Sequence, residues 1–217
     1  MERVTHYRDR ATDFGRDVVT EETFRLNTKE ELVADAHLRE TWIELLQRSE
    51  QACFARSPDM QTAQGIKENN QRIRDIIEDG VDYEALAGVF QTFDGAVNDP
   101  FIGATDYTVL SIQNFNGRIV INEVCRVKIN KTKASPTRSL LKYVEEWLLS
   151  QGVHEVSMFV EDPLRPGQTR TGGPVSINGQ TLLSIYGNYG YTFDGWLDDE
   201  EFIMSKRLSR YSLRSRY

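Results

Sequence analysis

Cysteine is scarce in this chain, with two among 217 residues, and histidine is nearly so, with three. Cys53 and Cys125 lie in apolar surroundings and stand at no metal-ligand spacing from His6, His37 or His154. These counts argue against a zinc site and against a small fold held together by staples. They predict reduced thiols in a cytoplasmic compartment. No run approaches the ~20 apolar residues that cross a bilayer, and the charged opening MERVTHYRDRATDFGRD lacks the apolar centre of a signal peptide. A soluble protein with no membrane partner is expected. One absence is local. The stretch NKTKASPTRSLL, residues 130–141, sits between a β-rich run and an amphipathic helix, where many nucleotide and coenzyme sites lie, yet it contains no glycine.

What is present suffices for one sizeable core, since 39% of the residues are hydrophobic. The reading divides the chain into an arm over 1–27, one domain over 28–208 and a basic tail over 209–217. The formal net charge of -7 is spread unevenly: the closing SKRLSRYSLRSRY carries Lys206, Arg207, Arg210, Arg214 and Arg216 and no acid. The acidic body repels nucleic acid, which is the partner least expected. The tail either attracts an acidic partner or simply solvates the terminus.

Periodicity places the elements. Only a short strand near TFRLN stands out in the arm. TKEE is a capping box on Thr28 and Glu31, predicting a helix from Lys29 to about Cys53 with Leu32, Val33, Ala36, Trp42, Ile43, Leu45 and Leu46 on its buried face. SPDM predicts a second start at Ser57 and Pro58, with Ala63, Ile66, Ile73 and Ile77 lining a helix up to Gly80. The period then falls toward two. ALAGVFQTF, DYTVLSIQNF and RIVINEVCRVKI predict a three-strand antiparallel meander, with FNGR as one of its turns. SPTRSLLKYVEEWLLSQG predicts a helix stopped at Gly152, and VHEVSMFVE a strand that the helical crossover makes parallel to the one before it. DPLRPGQTRTGGPVSINGQ, 162–180, reads as an inserted excursion, and a short helix ending at Gly190 and two closing strands follow.

This order of elements, together with IYGNYGY near the C-terminus, resembles the GNAT superfamily of acyl-CoA-dependent N-acyltransferases. Members often carry Leu-Tyr-x-x-x-Gly-Phe on the last helix, and Ile185, Tyr186, Gly190 and Tyr191 take those positions here. The resemblance covers about residues 20–208. It implies an α/β fold with a mixed α+β sheet: an antiparallel meander plus a parallel pair splayed at a coenzyme cleft, flanked by helices.

The same resemblance implies acetyl-CoA as cofactor and a small-molecule or protein amine as acceptor. In the family a loop of Gln or Arg, two variable residues, Gly, one variable residue, then Gly or Ala grips the pyrophosphate. TKASPT falls on that loop, with Thr132, Ser135 and Thr137 in place of the three signature residues. The resemblance thus assigns coenzyme binding to Lys131, Lys133, Ser135, Thr137 and Arg138, with an oxyanion donor from the backbone near Val127. Side chains replace the glycine nest that normally lets amides converge on a phosphate. Glu123 takes the general-base position and Tyr186 that of the general acid. Each has a plainer reading: Glu123 as an exposed strand glutamate, Tyr186 as packing among Tyr189, Tyr191 and Phe193, and the loop as an ordinary helix cap. The rival function is a non-catalytic module that keeps the fold for assembly or partner binding, as in tailed-phage particles.

Overall fold

Residues 2–10, 17–48, 62–79, 83–93, 106–128, 136–161, 182–197 and 201–209 are described by the computed structural model of the protein. In chain order the elements are β1 (Glu2–Arg10), β2 (Asp17–Thr28), α1 (Lys29–Ala34), α2 (Ala36–Gln47), α3 (Ala63–Asp79), β3 (Ala85–Phe93), β4 (Asp106–Phe115) and β5 (Arg118–Lys128). After them come α4 (Thr137–Ser150), β6 (Glu155–Glu161), α5 (Leu182–Asn188), β7 (Thr192–Trp196) and β8 (Glu201–Arg207). The strands follow one another in the order β1-β2-β3-β4-β5-β6-β8-β7. The chain divides into two units, Met1–Ile112 with Glu123–Val144, and Gln113–Asn122 with Glu145–Tyr217.

The first unit is an antiparallel ladder covered by helices. β2 pairs with β3 through Phe24↔Val89 and β3 with β4 through Val89↔Thr108. The sequence signal near Thr23–Asn27 is only the end of β2, which runs back to Asp17 and pairs with all of β1, from Glu2↔Arg25 to Arg10↔Asp17. β1 is too polar to announce itself by pattern. Its strand character comes from the ladder.

The core of this unit joins Leu32, Trp42, Ile43, Leu45, Leu46, Ile73, Ile77, Phe90 and Tyr107. Thr28 forms the expected capping box with Glu31. The single helix predicted to Cys53 is instead two. Asp35 is extended at φ -119 and ψ 99, and its carboxylate accepts the amides of His37 and Leu38, so it ends α1 and caps α2. α3 begins at Ala63, just after Thr62, whose Oγ1 accepts the Gly65 amide at 3.0 Å. Ser57 and Pro58 lie outside the described residues. Ile73 and Ile77 are buried as expected, whereas Ile66 is 44% exposed and Asn69 takes the inward position.

Cys125, packed against this core, is disulfide-bonded. The one other cysteine, Cys53, lies outside the described residues. The expectation of reduced thiols is therefore corrected, and with it goes the compositional argument for a reducing compartment.

In the second unit Asn116 and Gly117 both take positive φ, 53 and 82, as the two-residue hairpin between β4 and β5 requires. β5 pairs with β6 in parallel through Val120↔Ser157 and Ile121↔Met158. β8 pairs antiparallel with both β6 and β7. The mixed α/β sheet, the meander and the parallel pair joined through α4 are those expected. No helix among the described residues is long and apolar enough to cross a membrane.

Candidate active site

The expected site residues fall on different elements. Glu123 and Val127 lie on β5, with their side chains outside the described residues. Lys131, Lys133 and Ser135 lie outside the described residues altogether. Thr137 and Arg138 open α4, the former half-buried and the latter exposed.

The start of α4 has a definite local form. Pro136 precedes the helix, is buried, and accepts the Leu140 amide on its carbonyl at 2.9 Å. It occupies the N-cap position, where Ser, Thr, Asp or Asn normally supply a side-chain acceptor, and proline supplies none. The Ser139 hydroxyl donates back to the same Pro136 carbonyl at 2.9 Å. The positive end of a 14-residue helix thus begins without a cap from residue 136.

Tyr186 lies on α5, in the second unit. It is 9% exposed, with Tyr189 and Tyr191 edge-on to its ring at 6.2 and 6.4 Å. The packing foreseen for it is therefore real. Among the described residues the sealed, unpartnered side-chain atoms are Thr23 Oγ1, Asn69 Oδ1 and Thr108 Oγ1, and the Tyr186 hydroxyl is not one of them. Burial, with a smaller contribution from Tyr189, pushes its pKa up to about 12. Such a phenol keeps its proton at neutral pH and remains a donor.

The second unit also holds a polar cluster that sequence reasoning missed. Lys206 on β8 donates to Oε1 and Oε2 of Glu145 at 2.8 and 2.6 Å and to the Tyr189 carbonyl at 2.9 Å. The Tyr191 hydroxyl donates to Glu145 Oε1 at 3.0 Å, and the Lys206 ammonium stands 5.3 Å from the centre of the Tyr191 ring. Burial raises the Glu145 pKa, against the opposing pull of Lys206 and Tyr191. Burial and the nearby carboxylate together raise that of Tyr191 well above 10. A signal existed: Glu145 is an acid at helical spacing between Leu141 and Leu148, both buried, on the apolar stripe of α4. Among the described residues no group of His, Cys, Asp and Glu is arranged to hold a metal ion.

No protein-family model and no curated protein matches the chain. Among solved structures it is similar to the PaiA N-acetyltransferase of Thermoplasma acidophilum in complex with coenzyme A, at 17% identity and a TM-score of 0.44, over 85% of this chain and 98% of that one. It is similar also to the type Ii aminoglycoside 6'-acetyltransferase, at 13% identity and a TM-score of 0.46, over 86% and 97%. A putative GNAT-family acetyltransferase of Desulfovibrio desulfuricans gives 14% and 0.47, over 87% and 99%. At such identities and scores the likeness decides nothing about substrate or chemistry.

Proposed function

We propose that the chain is an N-acetyltransferase that takes acetyl-CoA as co-substrate and passes the acetyl group to an amine. The observation that carries this reading is Tyr186, a buried tyrosine on α5 whose phenol burial keeps protonated, at the motif position where the family places its acid. In the reaction a neutral amine attacks the thioester carbonyl, an oxyanion forms and collapses, and the thiolate leaves. Glu123 serves as base, directly or through water, and the β5 backbone near Val127 donates to the oxyanion. Lys131, Lys133, Ser135, Thr137 and Arg138 bind the pyrophosphate beside the start of α4, where the helix dipole favours an anion.

The raised pKa shapes the part played by Tyr186. Full transfer of a proton from a phenol at about 12 to a thiolate whose acid has a pKa of about 8.5 runs uphill. Tyr186 therefore acts chiefly as a hydrogen-bond donor to the departing sulfur. The second reading, a non-catalytic module of the same fold, is favoured by the packing of that ring between Tyr189 and Tyr191 and by a loop without glycine.

Calorimetric titration with acetyl-CoA and CoA separates the two. Enzyme function requires binding in the micromolar range that collapses in a Lys131, Lys133 and Arg138 triple alanine variant and survives in Tyr186→Phe. Absence of heat and of thermal stabilisation at millimolar ligand retires it in favour of the binding module.

A further inference from the structure

We propose that Lys206 and Glu145 are positioning residues that fix where the Tyr186 hydroxyl stands, acting through the C-terminal end of α5. The proposal rests on the acetyltransferase reading and concerns residues which that reading does not use.

The chain turns sharply after Tyr186. Its carbonyl accepts the amides of both Tyr189, at 2.9 Å, and Tyr191, at 3.1 Å, and Gly190 takes φ 91 to allow this. A helix end of this kind leaves carbonyls in need of donors. Lys206 supplies one by donating to the Tyr189 carbonyl. Gly190 lies against the same side chain: a Cβ there would stand 3.5 Å from Lys206 Cε. The ammonium is held in turn by both oxygens of Glu145, and Glu145 also accepts from Tyr191. One carboxylate on α4 thus fixes a lysine on β8 and a tyrosine just after α5, and these two residues flank the turn that carries Tyr186.

A buried ion pair is a poor source of stability, because desolvation offsets most of its attraction. Glu145 is 2% exposed and the Lys206 side chain 16%. What the pair does supply is direction: three donors and acceptors of fixed geometry at one helix end of only seven residues, too short to hold its own last turn. A tyrosine that must meet a sulfur atom needs its ring set to within a fraction of an ångström. Edge contacts between aromatic rings alone leave more freedom than that.

The test uses full-length protein in four forms: wild type, Tyr186→Phe, Lys206→Arg, and the double variant Lys206→Met with Glu145→Gln, which removes both charges and leaves neither buried alone. Each is titrated with CoA and with desulfo-CoA, which lacks the sulfur, and the exchange of the Tyr189 and Tyr191 amides is followed. Wild type is expected to prefer CoA severalfold. Tyr186→Phe and the double variant should lose that preference with the desulfo-CoA affinity unchanged, and Lys206→Arg should retain it. In the double variant the two amides should exchange at least tenfold faster, while α2 stays protected. A double variant that keeps the preference for CoA overturns the positioning role and leaves the acetyltransferase reading intact. Wild type that binds neither compound overturns both, and faster exchange in that case marks the cluster as a brace of the fold only.

Discussion

The indole Nε1 of Trp42 donates to Oδ1 of Asn27 at 3.1 Å, tying α2 to the end of β2 inside the core of the first unit. Asn27 turns its amide nitrogen the other way, to Glu31 Oε2 at 3.1 Å, and so links the buried indole to the capping box of α1. Replacing it with leucine leaves the indole N–H buried without an acceptor, which costs about 1–3 kcal/mol. Urea unfolding of Asn27→Leu should show a lower midpoint at unchanged slope. An unchanged midpoint would mean that the indole finds another acceptor.

Asp35 carries the break between α1 and α2. Asp35→Ala removes the acceptor for two amides and is expected to lose about 0.5–2 kcal/mol. Asp35→Asn, which keeps an acceptor oxygen, should lose much less. Equal losses in the two variants would argue that the charge, and not the cap, sustains the break.

Two ion-pair groups among the described residues, those of Arg74 and Lys206, should behave unlike each other. Arg74 meets Glu40 at 2.5 Å and Glu78 at 2.9 Å with the side chains one-third to nearly one-half exposed, so water already screens them. Arg74→Met should cost no more than about 1 kcal/mol. Lys206→Met leaves Glu145 charged and sealed, which costs about 3–5 kcal/mol. Thermal unfolding of both variants gives the comparison, and similar losses would contradict the difference in burial.

Glu145 makes stability depend on pH in a stated direction. Its carboxyl pKa is raised in the folded protein, chiefly by burial, so across the range from the ordinary glutamate value upward the folded state holds more protons than the unfolded one. Stability from this group is full below the unfolded pKa and is lost as pH rises through the folded one. The difference in unfolding free energy between wild type and Glu145→Gln should therefore shift against wild type as pH increases over that range. A difference independent of pH would show the carboxyl titrating normally.

The disulfide at Cys125 has a direct chemical check. Unfolded but unreduced protein should yield no reaction with a thiol reagent, and two thiols should appear after reduction. Reduction should also lower stability by about 2–4 kcal/mol. Two reactive thiols before reduction would restore the expectation drawn from composition.

What the sequence determined by itself was the kind and order of most elements, because those depend on patterns a few residues long. The capping box at Thr28 and Glu31, the alternation of DYTVLSIQNF, the Asn116–Gly117 turn and the stripe of Leu140, Leu141, Val144 and Leu148 are local statements, and the chain obeys them. Tyr186 was legible as a candidate for the same reason, through its motif position. The break at Asp35 was also locally encoded, and was hidden by an apolar stripe that continues on both sides of it. Tertiary structure alone decided the rest. β1 is a strand because β2 offers it a ladder, Cys125 is disulfide-bonded where composition predicted a thiol, and Glu145 on α4 meets Lys206 on β8 across 61 positions. A charge on an apolar face marks that a partner is required. Only the packing of distant elements selects which one it is.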